Sequence, residues 1–259
     1  MTARFVIVAE DELGQRLARD LTDRIVAERA RAAWLRELWS DEEVRSSQRS
    51  HRGLEPGLPW STWEDVKRLS RRLGIRVHGR GMQGERAMAH KAVAIVTELV
   101  PSATDGAPIT ALFLVHDTDG DPGVEVRLRE GARGPEDAPP DFAVVVAVAH
   151  PESEAWVIAG ATARSPDEHD SHRGERARLG FNPVTHPERL TANRATDKRD
   201  AKRVCETLLG PHGVAYAAWE RCWQQTPLDV LDQNGARAGL SDFTREIAEK
   251  ILPLLDDER

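Results

Sequence analysis

Ala111-Leu-Phe-Leu-Val-His-Asp-Thr-Asp-Gly-Asp121 is the stretch whose reading decides the fold. Five apolar residues, Ala111 to Val115, stop at His116 and give way to Asp117, Asp119 and Asp121 in alternation. The apolar run is short, rich in Leu, Phe and Val, and follows Pro108, which suits a strand buried on both faces. In an open parallel sheet, ligands bind in the crevice beyond the carboxyl ends of the strands. The acids fall there. Carboxylates this close repel one another, and a hard divalent cation such as Mg2+, held through oxygen ligands, neutralises them. The plain alternative is a solvated turn, since Asp and Gly are ordinary turn residues.

Two further strands repeat the pattern. Phe5-Val-Ile-Val-Ala9 ends at Glu10, Asp11 and Glu12, and Phe142-Ala-Val-Val-Val-Ala-Val148 ends in His150-Pro-Glu-Ser-Glu154. After the first strand, Leu13, Leu17, Leu21 and Ile25 recur every four residues, which predicts an amphipathic helix, and the pattern extends through Trp34, Leu35 and Leu38. Ser46–Gly53 and Pro56–Pro59 break it, so residues 40–60 are expected to be an insertion. Ser61 or Thr62 is a candidate cap for a helix through Val66, Leu69 and Leu73 to Gly74. Ile75–His78 is a weak strand candidate, Glu85–Leu99 a helix, and Arg127–Arg133 a polar stretch ending in Pro139-Pro140. Residues 161–197 are polar and expected to be loop-rich, and from Asp197 onwards the pattern is helical.

Strands alternating with helices argue an α/β domain with a largely parallel sheet flanked by helices. The expected division is an α/β domain over residues 1–160 and a loop plus C-terminal helical appendage over 161–259.

Composition narrows the field. With 259 residues, 40% hydrophobic and 31% charged, the chain is globular rather than disordered. A net charge of −7 leaves no global basic footprint, so nucleic-acid affinity would rest on a local patch or a partner. Cys205 and Cys222 are too few for a zinc site and predict reduced thiols. The N-terminus enters a strand pattern directly, and no apolar run nears the roughly 18 residues a membrane span needs. A cytoplasmic protein is expected.

Chance can place acids after one strand. Three strands ending in Glu10 with Glu12, Asp117 with Asp119, and Glu152 with Glu154 gather carboxylates on one edge if the sheet is parallel. Metal-bound carboxylates commonly serve phosphoryl transfer. Glu12 has a second reading, since an acid in the first helical turn is favourable against the helix dipole. His169 and His172 beside Asp167 and Asp170 have the composition of a transition-metal site, but a solvated loop cluster is the expected reading. Gly79–Gly84 has the glycine content of a phosphate loop without the lysine-serine ending, though Arg76, Arg80 and Arg86 nearby suit a phosphate backbone. Asp121 is expected to belong to the turn, and Trp34, Trp39, Trp219 and Trp223, at helical spacing, to core or interface.

A strand followed by Glu10, and a later strand followed by Asp117-Thr-Asp119, resembles the Toprim domain shared by topoisomerases, primases and the nucleases of the overcoming-lysogenization-defect family. Pro151-Glu-Ser-Glu-Ala-Trp156 is similar to an element that small bacterial stand-alone Toprim-like proteins carry after the last strand, and Asp197-Lys-Arg-Asp-Ala-Lys202 to their lysine-containing helix. The similarity covers residues 3–160 in pieces, with a weaker extension to 209. It departs at Asp11, where the family usually has glycine. The resemblance implies Asp117 and Asp119 as ligands of Mg2+ or Mn2+, and Glu10 as ligand or general acid/base. It leaves Glu152 or Glu154 to complete the shell, and Lys198 or Lys202 to stabilise phosphate charge.

The implied activity is a metal-dependent nuclease acting on nucleic acid, DNA before RNA, in a bacterial defence setting with a partner ATPase. The alternatives are a non-catalytic Toprim-like binding or assembly subunit and a small-molecule phosphohydrolase.

Overall fold

A computed structural model describes residues 2–77, 82–99, 108–134, 139–192 and 196–256. The chain divides into two compact units. The first is Met1–His116, Gly123–Ala147 and Arg245–Arg259; the second is Asp117–Pro122 and Val148–Thr244.

In chain order the first part of the protein carries β1 (Ala3–Ala9), α1 (Glu12–Arg29), α2 (Ala33–Ser40), α3 (Glu42–Gln48), β2 (Arg49–Arg52) and β3 (Ser61–Thr62). There follow α4 (Trp63–Arg72), α5 (Gly84–Leu99), β4 (Ala111–Asp117), α6 (Gly123–Ala132) and β5 (Ala143–Ala149). The last residue of β4 and the last two of β5 count with the second unit. The strands make a mostly parallel five-stranded sheet in the order β2-β1-β4-β5, with β3 also paired to β1. β2, β3 and β4 each run parallel to β1. The α/β class with a parallel sheet flanked by helices is therefore as the sequence predicts, and consistent with a Toprim-like arrangement. Phe5 to Ala9 and Ala111 to Val115 are buried along their whole length, as strands covered on both faces must be.

Local chemistry explains where the elements begin and stop. Asp11 is the N-cap of α1: its backbone is extended (φ −144°) and its Oδ1 accepts the Gly14 N–H at 2.9 Å. Position 11, where the resemblance would place glycine, is thus occupied by a capping residue with no need of glycine's freedom. α1 does not run on to Leu38 as the periodicity suggests. The Arg36 guanidinium takes the carbonyls of Ala30 at 2.5 Å and Arg31 at 2.9 Å, closing α1 before α2 starts. Thr62 caps α4 in a capping box with Asp65, and Gly74, at φ +69°, follows its end.

The expected insertion at 40–60 is structured. It contributes α3, capped by Asp41, and β2, which is hydrogen-bonded to β1 with Phe5 level with His51. An edge strand of sequence Arg-Ser-His-Arg lacks apolar alternation, which hid it. Its side chains are used instead: Arg49 forks onto buried Asp23, which also accepts the Trp39 indole N–H at 3.2 Å. Ile75–Val77 form no strand, and His78, Gly79, Arg80 and Gly81 lie outside the described residues. The polar stretch after β4 is α6.

His51 packs on the Phe5 ring, centroids 5.4 Å apart. Burial first, then the positive charges of Arg49, Arg19 and Arg45, hold it well below its ordinary 6.5. The unfolded chain therefore takes up a proton near pH 6.5 that the fold refuses, so stability should fall as pH drops below that value, by at most about 1.4 kcal/mol per pH unit. Burial also lowers His90 and His172, so the expected readout is a difference: urea midpoints between pH 7.5 and 5.5 should fall less in His51→Phe than in the wild type. An identical pH dependence in the two proteins would refute this role.

The second unit is helical: α7 (Ser153–Ala159), α8 (Pro166–Leu179), α9 (Ala201–Leu209), α10 (His212–Gln224), α11 (Leu228–Gly235) and the start of α12 (Leu240–Lys250). The loop-rich expectation for 161–197 is corrected by α8, which begins in a Ser165–Glu168 capping box with Pro166 at its first position and ends at left-handed Gly180. Its weak apolar periodicity concealed it; only Glu175 and Leu179 are buried. Both cysteines are buried in helices, and burial pushes the Cys205 thiol well up and Cys222 to about 12, so neither is a ready nucleophile.

The end of the chain, α12 from Arg245 together with α13 (Leu252–Asp256), belongs with the first unit. There Glu246 accepts the Val146 N–H at 3.0 Å and pairs with Lys250 and Arg129. Burial, the largest single influence, pushes Glu246 up, but these bonds together outweigh it and hold the carboxyl below 4.5. Among the described residues no helix is long and apolar enough to cross a membrane.

Candidate functional site

In the first unit, the register that sets Val8 level with Leu114 sets Glu10 level with His116. The two meet: His116 Nδ1 lies 2.5 Å from Glu10 Oε1. The imidazole rests on the Trp63 ring, centroids 5.3 Å apart, and the Trp63 indole donates to the Val115 carbonyl at 3.0 Å. Glu10 thus follows β1 as a partly exposed carboxylate held by a histidine. Glu12 takes its second reading: it sits in the first turn of α1 and pairs with Arg16.

In the second unit, the ends of β4 and β5 are laced together. Thr118 N–H donates to the Ala149 carbonyl at 2.9 Å, Asp119 N–H to the Pro151 carbonyl at 3.1 Å, and Thr118 Oγ1 lies 2.8 Å from His150 Nδ1. The two acidic loops, Asp117-Thr-Asp119 and Glu152-Ser-Glu154, therefore stand side by side. Asp117, 8% exposed, accepts the Ser153 hydroxyl at 2.8 Å. Asp119 sits at φ +49°, the one non-glycine residue with positive φ among those described. That conformation costs about 1 kcal/mol or more outside glycine, and such strain concentrates at functional sites. Asp121 donates its N–H to the Thr118 carbonyl, closing the turn as expected.

Glu152 is the N-cap position of α7 and Glu154 lies in its first turn, both buried. Lys202, from α9, brings its Nζ to 3.9 Å from Glu152 Oε1. Lys198 lies exposed in the turn before α9.

Of the residues singled out from sequence, then, the structure brings Asp117 and Asp119 beside the Glu152–Glu154 loop, with Lys202 on Glu152. It pairs Glu10 with His116. The sequence reading passed over Ser153, His150 and Thr118, although Ser153 sits between the two glutamates it singled out. His169 and His172 lie on a helix, α8, and not in a loop; there Glu168 is spent on the capping box and Asp170 on Arg173.

The donors at these strand ends suit a divalent metal in kind, being hard carboxylate oxygens on adjoining loops. Among the described residues, however, no three His, Cys, Asp or Glu side chains gather as a ready-made set of ligands. Each acid has taken a local partner: Asp117 has Ser153, Glu10 has His116, and Glu152 has Lys202. Within the second unit, Asp117, Asp119, Glu152 and Glu154 fit by chemistry and by placement on the loops. Side-chain rotation would be needed to bring three donors to one point.

No protein-family model, no curated protein and no solved structure matches the chain.

Proposed function

We propose that the chain is a divalent-metal-dependent nuclease of Toprim type, cleaving phosphodiester bonds of nucleic acid in a bacterial defence setting alongside a partner ATPase. One observation carries the reading: two acidic strand-end loops are hydrogen-bonded into register, with Asp119 held in a strained conformation between them. Asp117, Asp119 and either Glu152 or Glu154 would hold Mg2+ or Mn2+. A bound divalent ion supplies stabilisation for charge developing on the phosphate. Ser153 fixes the rotamer of Asp117. Lys202 offers a positive charge beside Glu152, and in the first unit His116 orients Glu10 as an acid/base group.

The test is incubation of pure protein with plasmid DNA, then with RNA, in Mg2+ or Mn2+, alone and with its partner ATPase. Divalent-dependent cleavage supports the proposal, and its absence from every combination defeats it.

That Asp117, Glu10 and Glu152 each already hold a local partner favours a second reading, a non-catalytic Toprim-like binding or assembly subunit. Calorimetric titration with Mn2+ separates the two. The nuclease reading expects binding that Asp117→Asn weakens, the assembly reading none.

A further inference from the structure

The second unit carries a cationic feature apart from the acidic loops. Phe181, just beyond the end of α8, is 6% exposed, and two guanidinium groups lie on its ring. The carbon of the Arg189 guanidinium is 4.2 Å from the centroid and that of Arg199 is 5.8 Å from it. The backbone fixes both. Thr191 N–H donates to the Arg199 carbonyl at 2.8 Å and Ala201 N–H to the Thr191 carbonyl at 2.9 Å, so the loop that joins the two arginines is closed at its base.

The neighbouring acids are committed elsewhere. Asp197 accepts the Arg199 backbone N–H at 2.9 Å, and Asp200 caps α9 through Arg203 N–H at 2.9 Å. Glu188 Oε1 faces His186 at 3.3 Å and Arg237 at 3.8 Å, while its buried Oε2 has no hydrogen-bond partner among the described residues. In a chain of net charge −7, arginines such as Arg45, Arg49, Arg129 and Arg178 have carboxylate partners. Arg189 and Arg199 have none among the described residues, and the buried Nε of Arg199 has no hydrogen-bond partner there.

Two cations set against one ring repel each other, and a nearby anion offsets that cost. A stacked guanidinium is weakly hydrated and keeps its planar N–H edge for a forked bond to phosphate. We propose that Arg189 and Arg199, stacked on Phe181, are a clamp for the phosphate backbone of a nucleic-acid strand. The proposal rests on the nuclease reading for its choice of ligand. It supplies the local cationic patch that an acidic protein needs to hold such a strand.

The experiment measures fluorescence anisotropy of labelled single-stranded and duplex oligonucleotides over a salt series, in EDTA so that cleavage plays no part. The double variant R189Q/R199Q is expected to lose about tenfold or more in affinity and to flatten the log–log salt slope by roughly 1.5, the release expected for two phosphate contacts. Phe181→Leu keeps both charges and should weaken binding while leaving the slope unchanged. Arg189→Gln alone, at an exposed position, guards against misfolding and should give about half the change in slope. Wild-type affinity and slope in the double variant would overturn the clamp, as would a wild-type protein that binds no strand at any salt. A wild type that binds through these arginines yet never cleaves with Mg2+ or Mn2+ would remove the nuclease reading and leave the clamp standing.

Discussion

On the nuclease proposal, Asp117→Asn should cut divalent-dependent cleavage by roughly 10³-fold while leaving the fold intact, because losing a proposed metal ligand would forfeit several kcal/mol of transition-state stabilisation. Asparagine is nearly isosteric and its Oδ1 still accepts the Ser153 hydroxyl, so the 2.8 Å contact that orients residue 117 survives. What disappears is the negative charge. Alanine is a poorer test, since it would strand the buried Ser153 hydroxyl and mix a stability loss into the rate. Two controls sharpen the result. Asp121→Asn, in the same turn, should cleave within about twofold of wild type, because asparagine keeps the backbone N–H that closes the turn on the Thr118 carbonyl. Raising Mn2+ should restore part of the rate lost in Asp117→Asn if the loss is in metal affinity. Equal cleavage by wild type and Asp117→Asn would remove residue 117 from the chemistry.

The strands were legible in the sequence because both β1 and β4 are buried on two faces and so read as unbroken apolar runs. Thr62 and Gly74 were legible because capping is local chemistry. β2 was not: an edge strand buries little, and Arg49 and His51 serve Asp23 and Phe5 through contacts that no alternation encodes. α8 escaped for the same reason, with a nearly featureless apolar pattern held by caps at both ends. At the candidate site, the acids were visible as residues following strands, since position after a strand is a sequence property. Their partners were not. Whether Asp117 meets Ser153 or a second carboxylate depends on the register of β4 against β5, which no residue reports alone. The Glu10–His116 pair follows from the β1–β4 register in the same way. His116 and Asp117 leave β4 on opposite faces, so adjacency in sequence gave them different partners.

That the acidic loops depend on the helical core behind them leads to the largest expected effect on stability, in Trp156. Its ring is 1% exposed and stacked on Phe243, centroids 5.3 Å apart and 11° from parallel. Its indole N–H donates to the Ala238 carbonyl at 2.6 Å, and that carbonyl also accepts the His150 N–H at 3.0 Å. Next to it, Gly239 sits at φ +86° with its Cα so close to Val148 that a Cβ would fall 2.1 Å from the carbonyl oxygen. Nothing there can close over a cavity. Trp156→Ala should therefore cost about 3–5 kcal/mol, a loss of about 1–2 M in the urea midpoint of the transition carrying the second unit. Trp156→Phe keeps a stacking ring and gives up mainly the indole bond, so it should cost much less. Far-UV circular dichroism in urea gives the midpoints, and hydrogen exchange gives the location. Exchange should accelerate first in α7 and at His150, because the Ala238 carbonyl holds both the indole and the loop that carries Glu152. If α7 and His150 keep wild-type protection in Trp156→Ala, the tryptophan supports the core without anchoring the loop.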